Sequence, residues 1–415
     1  MSKVCMISSL HGLYDDRIYW KEALSLIDHG YEVTHITTGT GDRDFVSEHG
    51  IRLIQVNKKQ YFRNPYLDIV FRKLAFRRNI YKRILRICSS LQADVYHFHD
   101  VQINRIGPLL KQLPHAPGVI YDVHEDFSDL LLVQHPGRGL MRALLKIYTA
   151  MLNRWELSRS VSYDHIIVVV EHLRNKFIVR VNPDKVSVIY NFTALSPVSI
   201  KPFAEKKYDA VYCGQISKNR GALQILEAAK LLRDPFPKIR ILLLGPIPDH
   251  RFRLQLESFI RINDLQQNII LHGNVSYHEM EGFYQDSRIG LGVFLPVSIF
   301  YYGIQIKMFE YMTYGLPVVC SNFGNINRFV TETESGIPVD PMNPGEIAGA
   351  ITDLLTDRSL YKKLSENGTL AIRQKYNWRS EETKLLEIYD NLTKTTRDVP
   401  HERVIKHVHG STGIK

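Results

Sequence analysis

The sequence predicts an α/β protein with two doubly wound, Rossmann-like domains that face a cleft. Short β-branched segments alternate with longer helical patterns along the 415 residues, which is typical of parallel sheets with helices between the strands. Several of these segments are apolar on both faces, as expected when helices cover both sides of a sheet. A stretch rich in Pro and Lys, residues 197–207, interrupts the alternation, which then starts again.

The first domain is predicted to span residues 1–197. After its first strand, apolar Trp20, Leu24 and Ile27 follow helical spacing and predict a helix over residues 19–29 that ends at Gly30. The strands of this domain are predicted at residues 4–8, 32–36, 52–56, 95–97, 119–122, 166–170 and 186–189.

The second domain is predicted to span residues 208–375. Its predicted strands are residues 210–213, 239–244, 269–272, 290–293 and 318–321, and its predicted helices are residues 221–232, 253–263, 280–284 and 306–313. Residues 401–415 are polar and without a pattern, so we predict a flexible tail there.

The composition is that of an ordinary globular protein, with 44% hydrophobic and 23% charged residues. No segment approaches the ~18 apolar residues of a membrane-spanning helix, and the N-terminus begins with a strand pattern rather than a signal peptide. Four scattered cysteines without a CxxC pair predict neither zinc nor disulfides, so we expect a cytoplasmic protein. The net charge of +10 favours an anionic partner, such as a nucleotide, a membrane surface or nucleic acid.

Polar residues follow three strands of the first domain, at the sheet edge where a Rossmann-type fold binds its ligand. They are His11, Gly12, Asp15 and Arg17 after the first of these strands, His99 and Asp100 after the second, with His97 at its end, and His124 and Glu125 after the third, with Asp122 at its end. Histidines beside carboxylates suit acid–base catalysis, metal binding or recognition of sugar hydroxyls, or they bridge loops structurally. The absence of GxGxxG disfavours a nicotinamide or flavin site, and no recurring ligand spacing predicts a metal.

The loop after the first strand of the second domain is predicted to bind a diphosphate. It is bounded by Gly214 and Gly221 and contains Lys218 and Arg220 before a helix begins. Cations at a helix N-terminus favour anions, although a solvated basic loop is the alternative.

A later helix in the same domain follows Gly303 and contains Lys307 and Glu310. The two residues are three apart and therefore share one face. They form either a surface ion pair or a pair of groups that hold a phosphate and a ribose.

These segments resemble the family-four retaining glycosyltransferases of group 1, which have the GT-B fold. KMFEYMTYGLPVV with SNFGN is similar to that family's donor-site helix and strand, GQISKNRG to its phosphate loop, and SGIPVDPMNPGEIAGAITDLL to its C-terminal signature. In the first domain, SSLHGLYDDRIYWKEALSLIDHGYEV, VYHFHD and YDVHEDF resemble one bacterial subgroup. The matches follow in order along nearly the whole chain. The resemblance also implies that a last helix, about residues 379–396, crosses back to the first domain.

The resemblance implies transfer of a sugar, with retention, from a UDP- or GDP-linked donor to a polysaccharide or lipid-linked acceptor, without an obligatory metal. Arg220, with Lys218 or Lys307, would stabilise charge on the leaving phosphate, and Glu310 would hydrogen-bond the ribose. His124 would orient a donor hydroxyl or the acceptor. The implied donor-binding residues are Gly214, Gln215, Lys218, Arg220, Gly221, Tyr302, Gly303, Gln305, Lys307 and Glu310.

The implied catalytic residues are His124, Glu125 and Arg220, and the implied acceptor-side residues are His11, Gly12, Asp15, Arg17, His99 and Asp100. Two positions depart from the family pattern. Tyr302 stands where the family has a glutamate eight residues before Glu310, and Gln215 stands in place of the usual arginine. The first departure favours an alternative, a non-catalytic module that binds a nucleotide-sugar. A nucleotide-sugar epimerase is a further alternative.

A basic segment, residues 58–86, holds ten Lys or Arg against one acid, and residues 140–155 add three more cations to an amphipathic pattern. Basic amphipathic helices bind anionic membranes, so we predict peripheral association with the inner face of the cell membrane. A solvated helix face is the alternative. No nucleic-acid-binding motif is present, and we predict no such partner. The triplet Asp42–Arg43–Asp44 is expected in a loop without a metal.

Overall fold

The computed structural model describes residues 1–58, 77–134, 139–195, 198–275 and 277–397. The chain forms two compact units, each built on one largely parallel sheet, so the predicted α/β class is confirmed. Unit 1 comprises Met1–Ser128, Gly137–Tyr190 and the segment that begins at Glu381, and unit 2 comprises Asp129–Pro136 and Asn191–Ser380. The predicted tail, residues 401–415, lies outside the described residues.

Unit 1 is built on eight strands. They are β1 (Lys3–Ile7), β2 (Glu32–Gly39), β3 (Arg43–Val46), β4 (Arg52–Asn57), β5 (Val95–His99), β6 (Gly118–Val123), β7 (His165–Val168) and β8 (Val186–Val188). Their order in the sheet is β3-β4-β2-β1-β5-β6-β7-β8, and only β3 is antiparallel to its neighbour. Strands β5 and β6 are buried at every residue, as expected for the centre of a parallel sheet.

Among the described residues of the first half of the chain there are six α-helices. They are α1 (Leu24–Asp28), α2 (Arg77–Leu91), α3 (Gly107–Leu110), α4 (Phe127–Gln134), α5 (Gly139–Ser160) and α6 (Glu171–Phe177). Short 3-10 turns occupy Asn104–Ile106 and Pro183–Lys185.

The first helical segment differs from the prediction because it opens as a π-helix, Ile18–Ala23, and becomes α-helical only in α1. The N–H of Glu22 donates to the carbonyl of Arg17, five residues earlier, at 2.9 Å. The wider turn rotates the following side chains relative to an α-helix. Trp20, predicted on the apolar face, is 45% exposed, so that prediction is wrong.

Strand β3 was not predicted, and its presence corrects the expectation for the triplet at residues 42–44. Arg43 and Asp44 belong to β3 rather than to a loop, and Asp44 lies 2.8 Å from Arg52 of β4. All four residues of β3 are exposed at the edge of the sheet. The strand therefore lacks the alternation of apolar and polar residues by which a strand is predicted from sequence.

Unit 2 is built on six parallel strands. They are β9 (Tyr208–Cys213), β10 (Ile241–Leu244), β11 (Ile269–Gly273), β12 (Ser287–Gly292), β13 (Val318–Ser321) and β14 (Gly336–Val339), in the order β11-β10-β9-β12-β13-β14. Strand β14 was missed because Gly336 and Pro338 obscure its pattern at the sheet edge.

Nine α-helices follow in the part of the second half that the structure describes. They are α7 (Ala222–Arg233), α8 (His250–Ile262), α9 (Tyr277–Gln285), α10 (Ser298–Tyr302), α11 (Ile306–Thr313), α12 (Gly324–Glu332), α13 (Pro344–Thr356), α14 (Arg358–Gln374) and α15 (Trp378–Arg397), and 3-10 turns occupy Phe203–Glu205 and Lys218–Arg220. Asp249, Asn343 and Asp357 cap α8, α13 and α14 through their side chains. Among the described helices, none combines the length and hydrophobicity needed to cross a bilayer.

Gly245, which follows β10, packs closely against the loop after β9, and a substitution there tests this packing. Gly245 has φ +142°, and a Cβ there would collide with the carbonyl of Gly214. We expect Gly245→Ala to lower the free energy of unfolding by about 2 kcal/mol or more, because the substitution adds both strain and overlap. Unfolding in urea, followed by circular dichroism, measures this change.

Gly349→Ala is the matched control, since Gly349 lies within α13 and a Cβ there meets no atom within 4 Å. It should raise the free energy of unfolding by about 0.5–1 kcal/mol. Equal effects of the two substitutions would contradict the packing described for Gly245.

Candidate functional site

Both sheets contain a point at which the order of the strands reverses direction. In unit 1 it lies between β1 and β5, and in unit 2 between β9 and β12. Ligands of open α/β sheets bind beyond the carboxyl ends of the strands at such points. The predicted site residues that follow β1, β5 and β9 therefore lie where a ligand is expected.

In unit 1 a histidine from the loop after β1 lies between two carboxylates. His11 Nδ1 is 2.8 Å from Asp15 Oδ2, and His11 Nε2 is 2.7 Å from Asp100 Oδ2. Burial lowers the pKa of His11, but the bonds to Asp100 and Asp15 outweigh it and raise the pKa to about 10. Both ring nitrogens then carry protons, and the side chain is an imidazolium at neutral pH.

The same loop leads into the π-helix through a cap. One carboxylate oxygen of Asp15 accepts hydrogen bonds from the backbone N–H groups of Arg17 and Ile18, each at 3.0 Å. Burial raises the pKa of Asp15, but His11 and the Ile18 N–H hold it well below its usual range. Asp15 thus joins His11 to the start of the helical segment.

A buried arginine lies beneath this loop. Arg17 Nε is 2.8 Å from Glu22 Oε1, its Nη2 is 3.1 Å from Asp122 Oδ2, and its Nη1 donates to the carbonyl of Ile189 at 3.1 Å. Burial and the neighbouring Asp122 charge raise the pKa of Glu22 despite Arg17, whereas Arg17 holds the pKa of Asp122 well below its usual range. One buried guanidinium therefore stabilises one ionised carboxylate beside a carboxyl group that favours its proton.

Three histidines surround Asp122 because of strand register. His99 pairs with Asp122 across β5 and β6, and His97 lies on the same face of β5 two residues earlier. His99 Nδ1 is 3.2 Å from His124 Nε2, and His124 Nε2 is 3.5 Å from Asp122. His97 Nδ1 is hydrogen-bonded to Tyr389 Oη at 2.8 Å. Burial lowers the pKa of both His97 and His99, which favours their neutral forms.

The described residues contain two groups whose ligand atoms lie within 4.8 Å of one another and could hold a metal ion, namely Glu22, His97, His99 and Asp122, and His11, Asp100 and His124. In the first group the guanidinium of Arg17 already lies within 3.1 Å of both Glu22 and Asp122 and supplies the positive charge there. In the second, His11 is bonded to carboxylates through both nitrogens. The expectation of a reaction that needs no metal stays a prediction.

The structure brings most of the predicted first-domain residues together. His11, Asp15, Asp100, His99 and His124 form one connected cluster, with Arg17 beneath it. Gly12 and Glu125 are exposed beside the cluster. A Cβ at Gly12 would meet no atom within 4 Å, so nothing in this structure requires glycine there.

In unit 2 the loop after β9 contains two glycines with positive φ angles, which other residues rarely adopt. Gly214 has φ +117°, and Gly221, at φ +69°, stands immediately before α7. A Cβ at Gly221 would collide with the carbonyl of Val293, which follows β12. The loop is thereby held close to the carboxyl end of β12, at the reversal point of the sheet.

Two cations converge on Gly214. The position that a Cβ would take at Gly214 is 2.7 Å from Lys307 Nζ and 3.8 Å from Arg220 Nη1. Lys307 Nζ also donates to Tyr212 Oη at 3.3 Å and lies 4.4 Å from the centre of the Tyr212 ring. Within the described part of the chain, neither cation forms a salt bridge with a carboxylate. Burial, with the charge of Arg220, lowers the pKa of Lys307 to about 7.

The predicted ribose-binding residue, Glu310, is not paired with Lys307 in an ion pair. Its Oε2 accepts a hydrogen bond from Tyr284 Oη at 2.7 Å. Burial and the Glu310 charge raise the pKa of Tyr284, which keeps the phenol as a donor. Tyr284 therefore orients the carboxylate and leaves Lys307 to Tyr212 and Arg220.

The other predicted donor residues are spread around this centre. Lys218 is exposed and lies 5.9 Å from the centre of the Phe252 ring, and Gln215 is exposed in the loop after β9. Tyr302 is 45% exposed at the end of α10, and Gly303 and Gln305 connect it to α11. These positions stay predictions for donor contacts.

Four residues of the two clusters were not predicted. They are Glu22 and Tyr389 in unit 1 and Tyr212 and Tyr284 in unit 2. No distinctive signal in the sequence marks them, because Glu22 follows Lys21 as on a solvated helix face and the tyrosines resemble ordinary core residues.

Two family models match consecutive parts of the chain. The model described as Glycosyltransferase Family 4 matches residues 17–196, and the model described as Glycosyl transferases group 1 matches residues 198–371. The boundary between the two matches falls in the segment that joins the strands of unit 1 to those of unit 2.

Curated relatives cover different shares of the chain. It is 27% identical over 179 residues to the alpha-D-kanosaminyltransferase of Streptomyces kanamyceticus, across 43% of this chain and 44% of that protein. It is 24% identical over 293 residues to the lipopolysaccharide 1,2-N-acetylglucosaminetransferase of Salmonella typhimurium, across 65% of this chain and 76% of that protein.

Solved structures share the fold over almost the whole chain. The sucrose-phosphate synthase from Thermosynechococcus elongatus has a TM-score of 0.72 at 16% identity, covering 95% of this chain and 100% of that one. HepE of Anabaena, in complex with UDP and glucose, has a TM-score of 0.66 at 12% identity, covering 94% and 100%.

The imidazolium of His11 predicts a stability that depends on pH. Its pKa is raised in the folded protein, so its contribution is fully present below pH 6.5 and is lost as the pH rises toward 10. We expect His11→Gln to lower the free energy of unfolding by about 2–3 kcal/mol at pH 6 and by progressively less at higher pH. Thermal unfolding between pH 6 and pH 9.5 measures the difference.

His29→Gln is the control, because His29 is exposed on the surface of unit 1. Its effect should be small and should not vary across this range. A His11→Gln effect that is constant with pH would contradict the imidazolium assignment.

Proposed function

Because the chain belongs to the family 4 and group 1 glycosyltransferases, we propose that it transfers a sugar from a nucleoside diphosphate donor to a saccharide or lipid-linked acceptor with retention. The family and the GT-B fold predicted from the motifs are confirmed by the two family models and by the solved structures. The donor, the acceptor and the stereochemistry belong to the proposal.

The convergence of Lys307 and Arg220 on Gly214 carries the proposal for the donor. Two cations without a carboxylate partner within the described residues favour a ligand with several negative charges, and a diphosphate supplies them. The site lies beside the N-terminus of α7, where N–H groups also favour anions. UDP in the structure of HepE supports a uridine donor, and GDP is the second candidate.

Catalysis at this site consists mainly of stabilising the leaving group. When the glycosidic bond to the β-phosphate breaks, negative charge grows on the phosphate, and Arg220 and Lys307 are already in place to stabilise it. Glu310, oriented by Tyr284, is proposed to accept hydrogen bonds from the ribose. In this scheme the acceptor hydroxyl forms the new bond to the anomeric carbon on the face from which the diphosphate leaves, and its proton passes to the departing phosphate oxygen. No protein nucleophile is therefore required.

The cluster in unit 1 is proposed to bind the acceptor. Its exposed edge offers His124, Glu125 and the carboxylates of Asp15 and Asp100, all suited to sugar hydroxyls. The relative from Salmonella, named for transfer to lipopolysaccharide, supports a saccharide or lipid-linked acceptor. The predicted membrane segment, residues 58–86, lies largely outside the described residues and stays a prediction.

A second candidate is a module that binds the nucleotide-sugar without transferring it. Tyr302 favours this candidate, because a phenol replaces the glutamate of the family pattern. Incubation with UDP- and GDP-sugars and short saccharide acceptors separates the two functions. A glycosylated product, with its anomeric configuration determined by NMR, supports a retaining transferase, and nucleotide binding without product supports the module.

We expect Arg220→Ala to lower kcat/KM by about 10²–10³-fold, because a charge that stabilises the leaving phosphate is lost. Glu310→Gln should raise the KM for the donor with a smaller change in kcat. Lys230→Ala, which removes an exposed cation from α7, is the matched control and should leave the rates unchanged. Steady-state kinetics that leave Arg220→Ala as active as the parent protein would end the assignment.

The pKa of Lys307 predicts how nucleotide binding depends on pH. A diphosphate prefers the charged ammonium, so affinity should be full below pH 7 and fall by up to about tenfold per pH unit above it. Titration calorimetry with UDP and GDP between pH 6.5 and pH 9 measures this decline.

Lys307→Arg is the discriminating variant, because a guanidinium stays charged throughout this range. Its affinity should be nearly independent of pH. A decline that persists unchanged in Lys307→Arg would place the titrating group elsewhere.

A further inference from the structure

The loop after β1 and the π-helix that follows it expose aromatic rings on the surface of unit 1. Tyr14 is 51% exposed and Trp20 is 45% exposed. The centres of their rings are 6.5 Å apart, and the ring planes are inclined by only 33°. His49, between β3 and β4, adds a third ring, whose centre lies 5.4 Å from that of Trp20. We refer to Tyr14, Trp20 and His49 as the aromatic platform.

A buried tyrosine holds the aromatic platform in place. Tyr19 is fully buried, and its ring contacts those of Tyr14 and Trp20 edge to face, with centres at 4.8 and 5.0 Å. Its hydroxyl is hydrogen-bonded to His49 Nδ1 at 3.0 Å. All three residues of the platform therefore contact one fixed ring, so that little side-chain freedom is left for a ligand to remove.

The π-helix places Trp20 beside this loop. The backbone N–H groups of Tyr19 and Trp20 both donate to the carbonyl of Asp15, at 3.0 and 3.2 Å, and the second of these bonds spans five residues. Turns of this kind are rare and occur frequently at functional sites. A large exposed tryptophan in such a turn therefore indicates a binding surface rather than a scattered surface hydrophobe.

The aromatic platform adjoins the polar cluster of unit 1. The residue whose carbonyl accepts from the N–H of Trp20 is Asp15, and its carboxylate is bonded to His11 at 2.8 Å. Asp16 and Glu48, each next to this surface in the sequence, are 51% and 81% exposed. Carboxylate oxygens accept hydrogen bonds from hydroxyl groups. The surface thus combines aromatic ring faces with groups that accept hydrogen bonds.

An anionic ligand suits this surface poorly. Bases of nucleotides and nucleic acids stack on aromatic rings, but cations must hold their phosphates. The cations of this segment, His11, Arg17 and Lys21, are each paired with a carboxylate. The ligand is therefore expected to carry no phosphate at the aromatic platform.

A quaternary ammonium ion is a further candidate, because such ions bind among several aromatic ring faces. The planes of Tyr14 and Trp20 are close to parallel, and the ring of Tyr19 is buried, so these rings do not enclose an ion on several sides. A pyranose fits better. The C–H groups on its flat face pack on an aromatic ring, and the hydroxyls at its edge reach the carboxylates.

We propose that the aromatic platform is a saccharide-binding subsite, on which pyranose rings of the acceptor stack while hydroxyls at their edges donate to the neighbouring carboxylates. An axial hydroxyl would hold a sugar ring away from the aromatic face, so the subsite favours sugars with equatorial substituents, such as glucose and N-acetylglucosamine. The inference rests on the proposed binding of the acceptor by unit 1, and it names that acceptor as a saccharide with a flat apolar ring face.

Binding without a donor tests the proposal in the full chain. Cellotriose and chitotriose should bind in titration calorimetry and should protect the fluorescence of Trp20 from quenching by acrylamide. Mannotriose with the same β-1,4 linkages differs from cellotriose in its axial hydroxyl at C2, and it should bind several-fold more weakly. The protection should be absent in Trp20→Phe, which assigns it to this tryptophan among the three in the chain.

Substitutions show which rings carry the binding. Trp20→Ala should lower the affinity for cellotriose by about tenfold, and Tyr14→Ala should lower it by about fivefold. Tyr14→Phe keeps the ring and should bind nearly as the parent protein does. Tyr148→Ala is the matched control, because it removes a tyrosine of α5 that is 54% exposed, and it should leave the affinity unchanged. Circular dichroism should show every variant folded as the parent protein is.

Kinetics with a donor distinguish this proposal from the proposed function. Trp20→Ala should raise the KM for a saccharide acceptor by about tenfold, with kcat and the KM for the donor close to those of the parent protein. Transfer with an unchanged acceptor KM would overturn the subsite and leave the proposed function standing. Saccharide binding that requires Trp20, in a chain that transfers no sugar, would support the subsite and contradict the proposed function.

Two further results would overturn the proposal. One is a quenching of Trp20 that no neutral saccharide of the series changes. The other is protection by tetramethylammonium but by none of the saccharides, which would identify the aromatic platform as a site for a quaternary ammonium ion.

Discussion

The buried charge of Arg17 is the constraint on which unit 1 depends. A guanidinium removed from water must be fully paired, and here its partners come from three places, namely Glu22 in the π-helix, Asp122 in β6 and the carbonyl of Ile189 after β8. Because a π-helical turn brings residues five apart onto the same side, Glu22 lies next to the guanidinium of Arg17. Pairing of this one cation thus aligns the loop after β1 with the carboxyl ends of the central strands.

In unit 2, cations rather than a paired ion cluster lie at the reversal point of the sheet. Lys307 and Arg220 approach each other at Gly214, with aromatic rings rather than carboxylates around the ammonium. Tyr284 holds Glu310, which would otherwise be a natural partner for Lys307. In the proposed function, a polyanionic ligand relieves the repulsion between the cations, so that the unit gives up some stability of its free form for affinity.

Features that depend on local pattern could be predicted from the sequence, and those that depend on packing could not. Central strands such as β5 and β6 are continuous apolar segments, and the polar residues after them meet at one edge because parallel strands end together. The edge strands β3 and β14 lack such a pattern, and the π-helix changes the spacing from which Trp20 was placed. Partners such as Tyr389, 292 residues from His97, follow only from the tertiary structure.

The separation of 292 residues between His97 and Tyr389 affects the order in which unit 1 is completed during translation. Helix α15 contributes Tyr389 to His97 and Asp390 to Tyr31, so unit 1 completes these hydrogen bonds with residues that are synthesised after the strands of unit 2. The whole of unit 2 up to Ser380 is synthesised in between. During translation, therefore, a buried histidine of the N-terminal sheet stays without its tyrosine partner until the strands of the C-terminal sheet and then α15 have been synthesised.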